Sequence, residues 1–302
     1  MLVTMKELLK VAYENEFAVG SYNVSNNEIL RAIIETAEEK KSPAIVQIHP
    51  NELDLVSDEF IAYVREAANN ASVPIVIHQD HCGTIEGTIR AIRNGYTSVM
   101  IDGSHLPFED NIALTKDIVH IAHSVGVSVE AELGTIGENE GSTEGGAEEI
   151  LYTDPEQARE FVNRTGCDTL AVAIGTAHGF YPENFDPKLQ IDRLEQINKV
   201  VDIPLVLHGG SNNPDEDIRN STKYGISKIN LSSDMKGAFF DQLRITLRDK
   251  PNDFEPDVIF PEANEAAKKV LREKMDLFGS SNKANLYHLG EISFNITPNV
   301  IH

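Results

Sequence analysis

Along the whole chain, short apolar runs alternate with longer stretches in which apolar residues recur at helical spacing. The runs predict strands at 17–23, 44–48, 75–79, 98–102, 128–133, 169–175, 205–208 and 228–231. The longer stretches predict amphipathic helices at 27–40, 58–68, 85–94, 108–125, 155–164, 189–200 and 214–224. Strands alternating with helices of this length build βαβ units around a parallel sheet. At Gly95-Tyr96, Gly126-Val127 and Gly225-Ile226 a glycine precedes an apolar residue, as expected where a helix stops and a strand returns. About eight such units in roughly 250 residues match a closed (β/α)8 TIM barrel. The alternative is an open doubly wound sheet, but no Gly-x-Gly-x-x-Gly follows the first strand.

No linker or shift in composition divides the chain, so one domain is expected over 1–302. Within it, 251–302 predicts extra C-terminal helices outside the barrel, clearest at 263–278, with 289–302 as an arm or a disordered tail. The segment 134–149, rich in Gly and Glu, is too polar for a strand or a helix. At a barrel's active face, such a segment predicts a mobile functional loop.

Hydrophobic residues at 41% and charged residues at 25% are ordinary for a soluble globular protein of 302 residues. The net charge of −22 changes the picture. It argues against nucleic acid and anionic membranes as partners, since a polyanion would be repelled. A phosphorylated small substrate would need local neutralisation by backbone N–H groups, a metal or single basic residues. Cys82 and Cys167 are the only cysteines, too few for a disulfide framework and in keeping with a reducing compartment. With no secretory pattern at the N-terminus and no apolar run near ~18 residues, a cytoplasmic protein is expected.

Barrel chemistry sits where strands end and βα-loops begin. The predicted strand ends supply Asn23, His49, Asp80 with His81, Asp102, Glu132, His178, His208 and Asn230. Three imidazoles with an open position are the donor set of a catalytic zinc, which points to His81, His178 and His208. His78 falls on the opposite side of an extended run from Gln79 and reads as packing or as support behind a metal ligand, while His105, His120 and His123 read as solvated. Asp80 either orients an imidazole or acts as a general acid and base beside the metal. Gly179, Gly209-Gly210-Ser211 and the Ser232-Ser233 pair after Asn230 supply glycines and hydroxyls suited to an anion, where barrels often hold phosphate.

At these residues the sequence resembles the class II zinc-dependent ketose-bisphosphate aldolases, which include fructose- and tagatose-bisphosphate aldolases. The motifs are His78-Gln-Asp80-His81-Cys82, Val129-Glu130-Ala-Glu132-Leu-Gly134, Ala173-Ile-Gly-Thr-Ala-His178-Gly179, Val206-Leu-His208-Gly-Gly-Ser211 and Lys228-Ile-Asn230-Leu-Ser-Ser233. The likeness runs to about Tyr287. It implies reversible cleavage of a ketose 1-phosphate to dihydroxyacetone phosphate and an aldehyde. It also implies Zn2+ on His81, His178 and His208, with Asp102 and Glu132 at a second, more buried metal position. By the same resemblance, Asp80 carries the C4 hydroxyl proton and Glu140 exchanges the C3 proton. Asn23, Gly179, Gly209, Gly210, Ser211, Asn230, Ser232 and Ser233 then line the substrate and its 1-phosphate, with Na+ or K+ nearby. A homodimer or homotetramer is implied as well.

The chain departs from the family pattern at Glu138, at Asn212 where Gly is usual, and in the Leu-Ser-Ser of the phosphate loop. The second strand ends Gln47-Ile-His49-Pro-Asn51 instead of in an Ala-Ser-rich stretch. His49 and Asn51 therefore become candidates for reading the aldehyde end, whether phosphate, a sulfonate as in sulfofructose 1-phosphate, or uncharged. A barrel zinc hydrolase is the second reading, but its first-strand His-x-His is replaced by Tyr22-Asn23. A non-catalytic sugar-phosphate-binding relative or accessory subunit is the third, and it would not require Asp80.

Overall fold

In the computed structural model, which describes residues 1–138, 150–179 and 187–287, eight parallel strands close into a barrel. They are β1 (Val19–Asn23), β2 (Ala44–Ile48), β3 (Ile75–Cys82), β4 (Ser98–Ile101), β5 (Ser128–Leu133), β6 (Thr169–Val172), β7 (Leu205–Leu207) and β8 (Ile226–Leu231). Each pairs with its neighbours in chain order, and β8 closes on β1 with Val19 opposite Lys228. That closure rules out the open doubly wound sheet.

The strands are buried on both faces. Outward residues such as Val46, Ile48, Ile75, Ile77, Val99, Val129 and Leu207 pack with Ile29, Ile33, Val64 and Ile118 of the surrounding helices in one large core. Local signals set the helix ends. Asn26 caps Asn27–Lys40 by accepting from Ile29 N, Thr84 caps Ile85–Asn94, and Asp154 caps Pro155–Thr165. Gly95 and Gly166 follow their helices in the left-handed region, with φ of 92° and 72°.

Several boundaries differ from the sequence expectation. The run 169–175 leaves the barrel at Val172, 205–208 stops at Leu207, and 75–79 continues to Cys82. Three helices carry no expectation: Met5–Glu14, Pro50–Val56 and Ser233–Asp249. The first opens with a Thr4/Glu7 capping box and lays Met5, Leu8, Leu9 and Ala12 against Val19, Ile45 and Val76. It thereby closes the N-terminal end of the barrel. The outer helix expected at 263–278 begins earlier and spans Pro256–Leu277.

Within 134–149, where composition argued against any strand, Gly137–Glu138 pairs in parallel with Ala177–His178. Glu140, with the rest of 139–149, and the arm at 289–302 lie outside the described residues. His123 is exposed, as expected, but it also has a specific partner. Its Nε2 sits 2.7 Å from an oxygen of buried Asp168, which also accepts from Val129 N and pairs with Lys6.

Candidate metal centre and active site

The C-terminal end of the barrel gathers the polar strand ends. β3 pairs regularly with β4 until the register slips between Gln79 and Cys82, and His81 takes a left-handed φ of 36°. In a regular strand Asp80 and His81 would face opposite sides. The bulge turns both toward the barrel mouth, at a backbone cost of order ~1–3 kcal/mol.

One ring nitrogen from each of His81, His178 and His208 lies within 4.8 Å of the others. His81 Nε2 and His208 Nδ1 are 2.8 Å apart. Each of these two rings is held from behind by a carboxylate: His81 Nδ1 is 2.8 Å from Asp102 Oδ2, and His208 Nε2 is 2.9 Å from Glu130 Oε1. Carboxylates bound to the outer nitrogens leave the inner nitrogens aimed at a common point, the usual support of metal-ligating imidazoles. The donor set therefore fits a divalent metal of zinc type. His178 arrives by a route unlike the other two. It stands on the short strand paired with Gly137–Glu138, beyond the end of β6.

A second group, His81 with Asp102 and Glu132, also falls within that distance limit. Asp102 Oδ1 accepts from the backbone and hydroxyl of Ser104 at 3.0 and 2.7 Å. Burial alone would depress the His81 pKa, but Asp80, the bond to Asp102 and the charge on Glu132 overcome it and raise it to about 10. Burial, then repulsion from Asp102, pushes Glu132 well up. His208 is driven well down by burial and by the charges of His81 and Lys228.

Asp80 is fully buried, and three amides hold it. Asn23 Nδ2 and Gln47 Nε2 donate to Oδ2 at 3.0 and 3.1 Å, and Asn230 Nδ2 donates to Oδ1 at 3.3 Å. Burial opposes the charge on Asp80, but His81, His208, Lys228 and His49 outweigh it and keep the carboxyl well below its ordinary range. Asn23 and Asn230 thus contact Asp80 itself. Gln47, Glu130 and Lys228 carry no role in the sequence reading. Their signal was available: each is a polar residue two positions before a strand-end residue, the spacing that keeps a side chain on the same inward face.

Around the anion loop, Gly179 and Gly209 take φ of 88° and 60°. A Cβ on Gly209 would stand 2.5 Å from Ala177 O, and one on Gly210 would stand 2.7 Å from Asn230 O. The loop is therefore wedged between the His178 segment and β8. Asn212 occupies the left-handed region at φ 57°, which explains why glycine suits that position and why asparagine is tolerated. Ser232 begins the helix Ser233–Asp249 without a side-chain cap, and Ser211 Oγ accepts from Asp234 N at 3.5 Å. The first-turn N–H groups that this long contact leaves over favour an anion.

His49 is buried with its ring 6.3 Å from that of His81, whereas Asn51 is exposed at the start of Pro50–Val56. The structure therefore separates the two aldehyde-end candidates. Beside them lies Glu52, which sequence reasoning missed. It accepts from His49 N and Asn23 Nδ2 and pairs with Lys236.

The family model described as "Fructose-bisphosphate aldolase class-II" matches residues 3–283. A probable fructose-bisphosphate aldolase of Bacillus subtilis is 42% identical, over 94% of this chain and 99% of that protein. A fructose-bisphosphate aldolase of Thermus caldophilus is 40% identical, over 94% of this chain and all of that protein. Among solved structures, the YdjI aldolase from Escherichia coli K12 superposes with a TM-score of 0.81 at 35% identity, covering 94% of this chain and 100% of that one. No helix among the described residues is long and apolar enough to cross a membrane.

Proposed function

The chain belongs to the class II fructose-bisphosphate aldolase family and is an aldehyde-lyase, and on that premise we propose that it reversibly cleaves a ketose 1-phosphate to dihydroxyacetone phosphate and an aldehyde. The observation that carries this reading is the Asp80 carboxylate, charged and held by three amides beside three converging imidazoles. Zinc held by His81, His178 and His208 would supply a Lewis acid for the ketone oxygen.

Asp80 accepts the proton of the C4 hydroxyl as the C3–C4 bond breaks. The bonding pair moves toward C2, the C4 oxygen becomes the aldehyde carbonyl, and condensation runs the same path backward. The amides of Asn23, Gln47 and Asn230 fix the carboxylate's position, so its oxygen meets the hydroxyl without a search. Glu140 is assigned the C3 proton from the family likeness. Gly179, Gly209, Gly210 and Ser211, with Ser232 and Ser233 at the helix start, take the 1-phosphate, helped by Na+ or K+. That mode suits a chain of net charge −22, because backbone amides bind the anion without a basic patch.

His49, with Asn51 farther out, is assigned to the aldehyde end, where the substrate's C6 group lies. A homodimer or homotetramer in the cytoplasm completes the reading. A zinc-loaded assay would compare fructose 1,6-bisphosphate, tagatose 1,6-bisphosphate, sulfofructose 1-phosphate and fructose 1-phosphate, measuring dihydroxyacetone phosphate. Release from at least one is expected, and the ranking identifies the C6 group. Release from none would overturn the aldolase reading.

A further inference from the structure

Deep in the barrel, below the three histidines, lies an ion pair in which Lys228 acts on Asp80 through its charge while Glu130 meets one of the metal-site rings. Glu130 on β5 and Lys228 on β8 both have fully buried side chains, and their strands are not neighbours. Lys228 Nζ stands 3.0 Å from each oxygen of Glu130. Oε1 also meets His208 Nε2 at 2.9 Å, and Oε2 lies 3.6 Å from His78 Nε2. We propose that the Glu130–Lys228 pair is a positioning unit that fixes which nitrogen of His208 faces the metal. This rests on the zinc reading above and extends it to two residues outside the ligand set.

An ionised carboxylate only accepts hydrogen bonds, so its partner nitrogen Nε2 must carry the ring proton. The lone pair of neutral His208 is then on Nδ1, the atom turned toward His81 and the point where the three rings converge. Lys228 has two consequences. It compensates a carboxylate that would otherwise be buried at high cost. By holding both oxygens, it also stops Glu130 from rotating toward the metal as a competing ligand. The contrast with Asp102 is instructive. Asp102 supports His81 in the same way, but it is partly exposed, has no lysine behind it among the described residues, and falls within a second metal-capable group. Glu130 falls in neither such group among the described residues.

The test is the near-isosteric neutral pair Glu130→Gln/Lys228→Met, which removes both charges together and leaves neither one buried alone. The substituted amide can present its NH2 to Nε2, which favours the His208 tautomer with its lone pair turned away from the metal. Zinc affinity, read by competition with a chromophoric chelator, is expected to fall by ~10–100-fold, with unchanged circular dichroism and an altered visible spectrum of the cobalt-substituted protein. Wild-type zinc affinity in a folded double variant would overturn the proposal. Failure of the unaltered protein to bind zinc would instead overturn the metal reading itself. If the variant does not fold, the wild-type protein still decides the matter. The 15N spectrum of the metal-free, histidine-labelled chain, with His208 assigned by difference against His208→Gln, should show the proton on Nε2. A proton on Nδ1 would overturn the proposal.

Discussion

At the N-terminal end of the barrel, Val19, Ile45 and Val76 face inward and are covered by Met5, Leu8 and Leu9. Two to four residues farther along the same strands, Asn23, Gln47 and Asp80 face inward and bond to one another. The lower end follows area alone: apolar groups leave water, each fully buried leucine contributing ~1.5–3 kcal/mol, and no partner is required. The upper end holds carboxylates, imidazoles and a lysine at similar depth. Most of the cost of burying them is offset by pairing across the lumen, as Glu130 pairs with Lys228 and His208, while Glu132 Oε2 and Asn230 Oδ1 are buried without a hydrogen-bond partner among the described residues. Stability is stored at the end where shape suffices, and chemistry is placed where most groups depend on a specific partner.

Four perturbations would break or sharpen this contrast. The largest effect is expected from Asp80→Ala, which should lower turnover by ~10²–10⁴-fold while leaving bound zinc, read by metal analysis, unchanged. Turnover near wild type would remove Asp80 from its role. Lys228→Met alone strands the Glu130 charge and should cost ~3–5 kcal/mol in denaturant unfolding, more than the neutral double variant. If the two variants unfold alike, the pair is not coupled.

At the opposite end, Leu9→Ala should cost ~2–5 kcal/mol of stability and leave kcat and zinc affinity as they were. A change in zinc affinity there would show that the two ends are not independent. The mildest perturbation is pH. His81 of the metal-free protein has its pKa raised to about 10, so its stabilisation is complete below the unfolded value and is lost as pH rises through about 10. Zinc must displace that proton. Apparent zinc affinity should therefore climb about tenfold per pH unit below about 10, as chelator competition would read, and a flat profile would contradict it.

The outer faces of the strands were easy to read because helices bury them, and burial writes continuous apolar runs such as Ile75–Ile77. The metal-site histidines were legible because each directly follows, or nearly follows, such a run. Helix Met5–Glu14 carries its capping box in the sequence, but it precedes the first strand, where the strand–helix repeat gives no place for a helix. Glu52 was overlooked because its three contacts come from β1, the end of β2 and the helix after β8. No local pattern records such a meeting.

By itself the chain determined the alternation of strand and helix, the barrel class and the residue types that could hold a metal, because periodicity and composition are local properties. Only the tertiary structure decided how those residues meet. Asp80 and His81 share one site through a bulge, His178 enters from a strand outside the barrel, and Glu130 finds Lys228 across the lumen. Closure of the sheet brings residues a hundred positions apart into hydrogen-bond range. A buried charge finds its partner by that closure and not by its place along the chain.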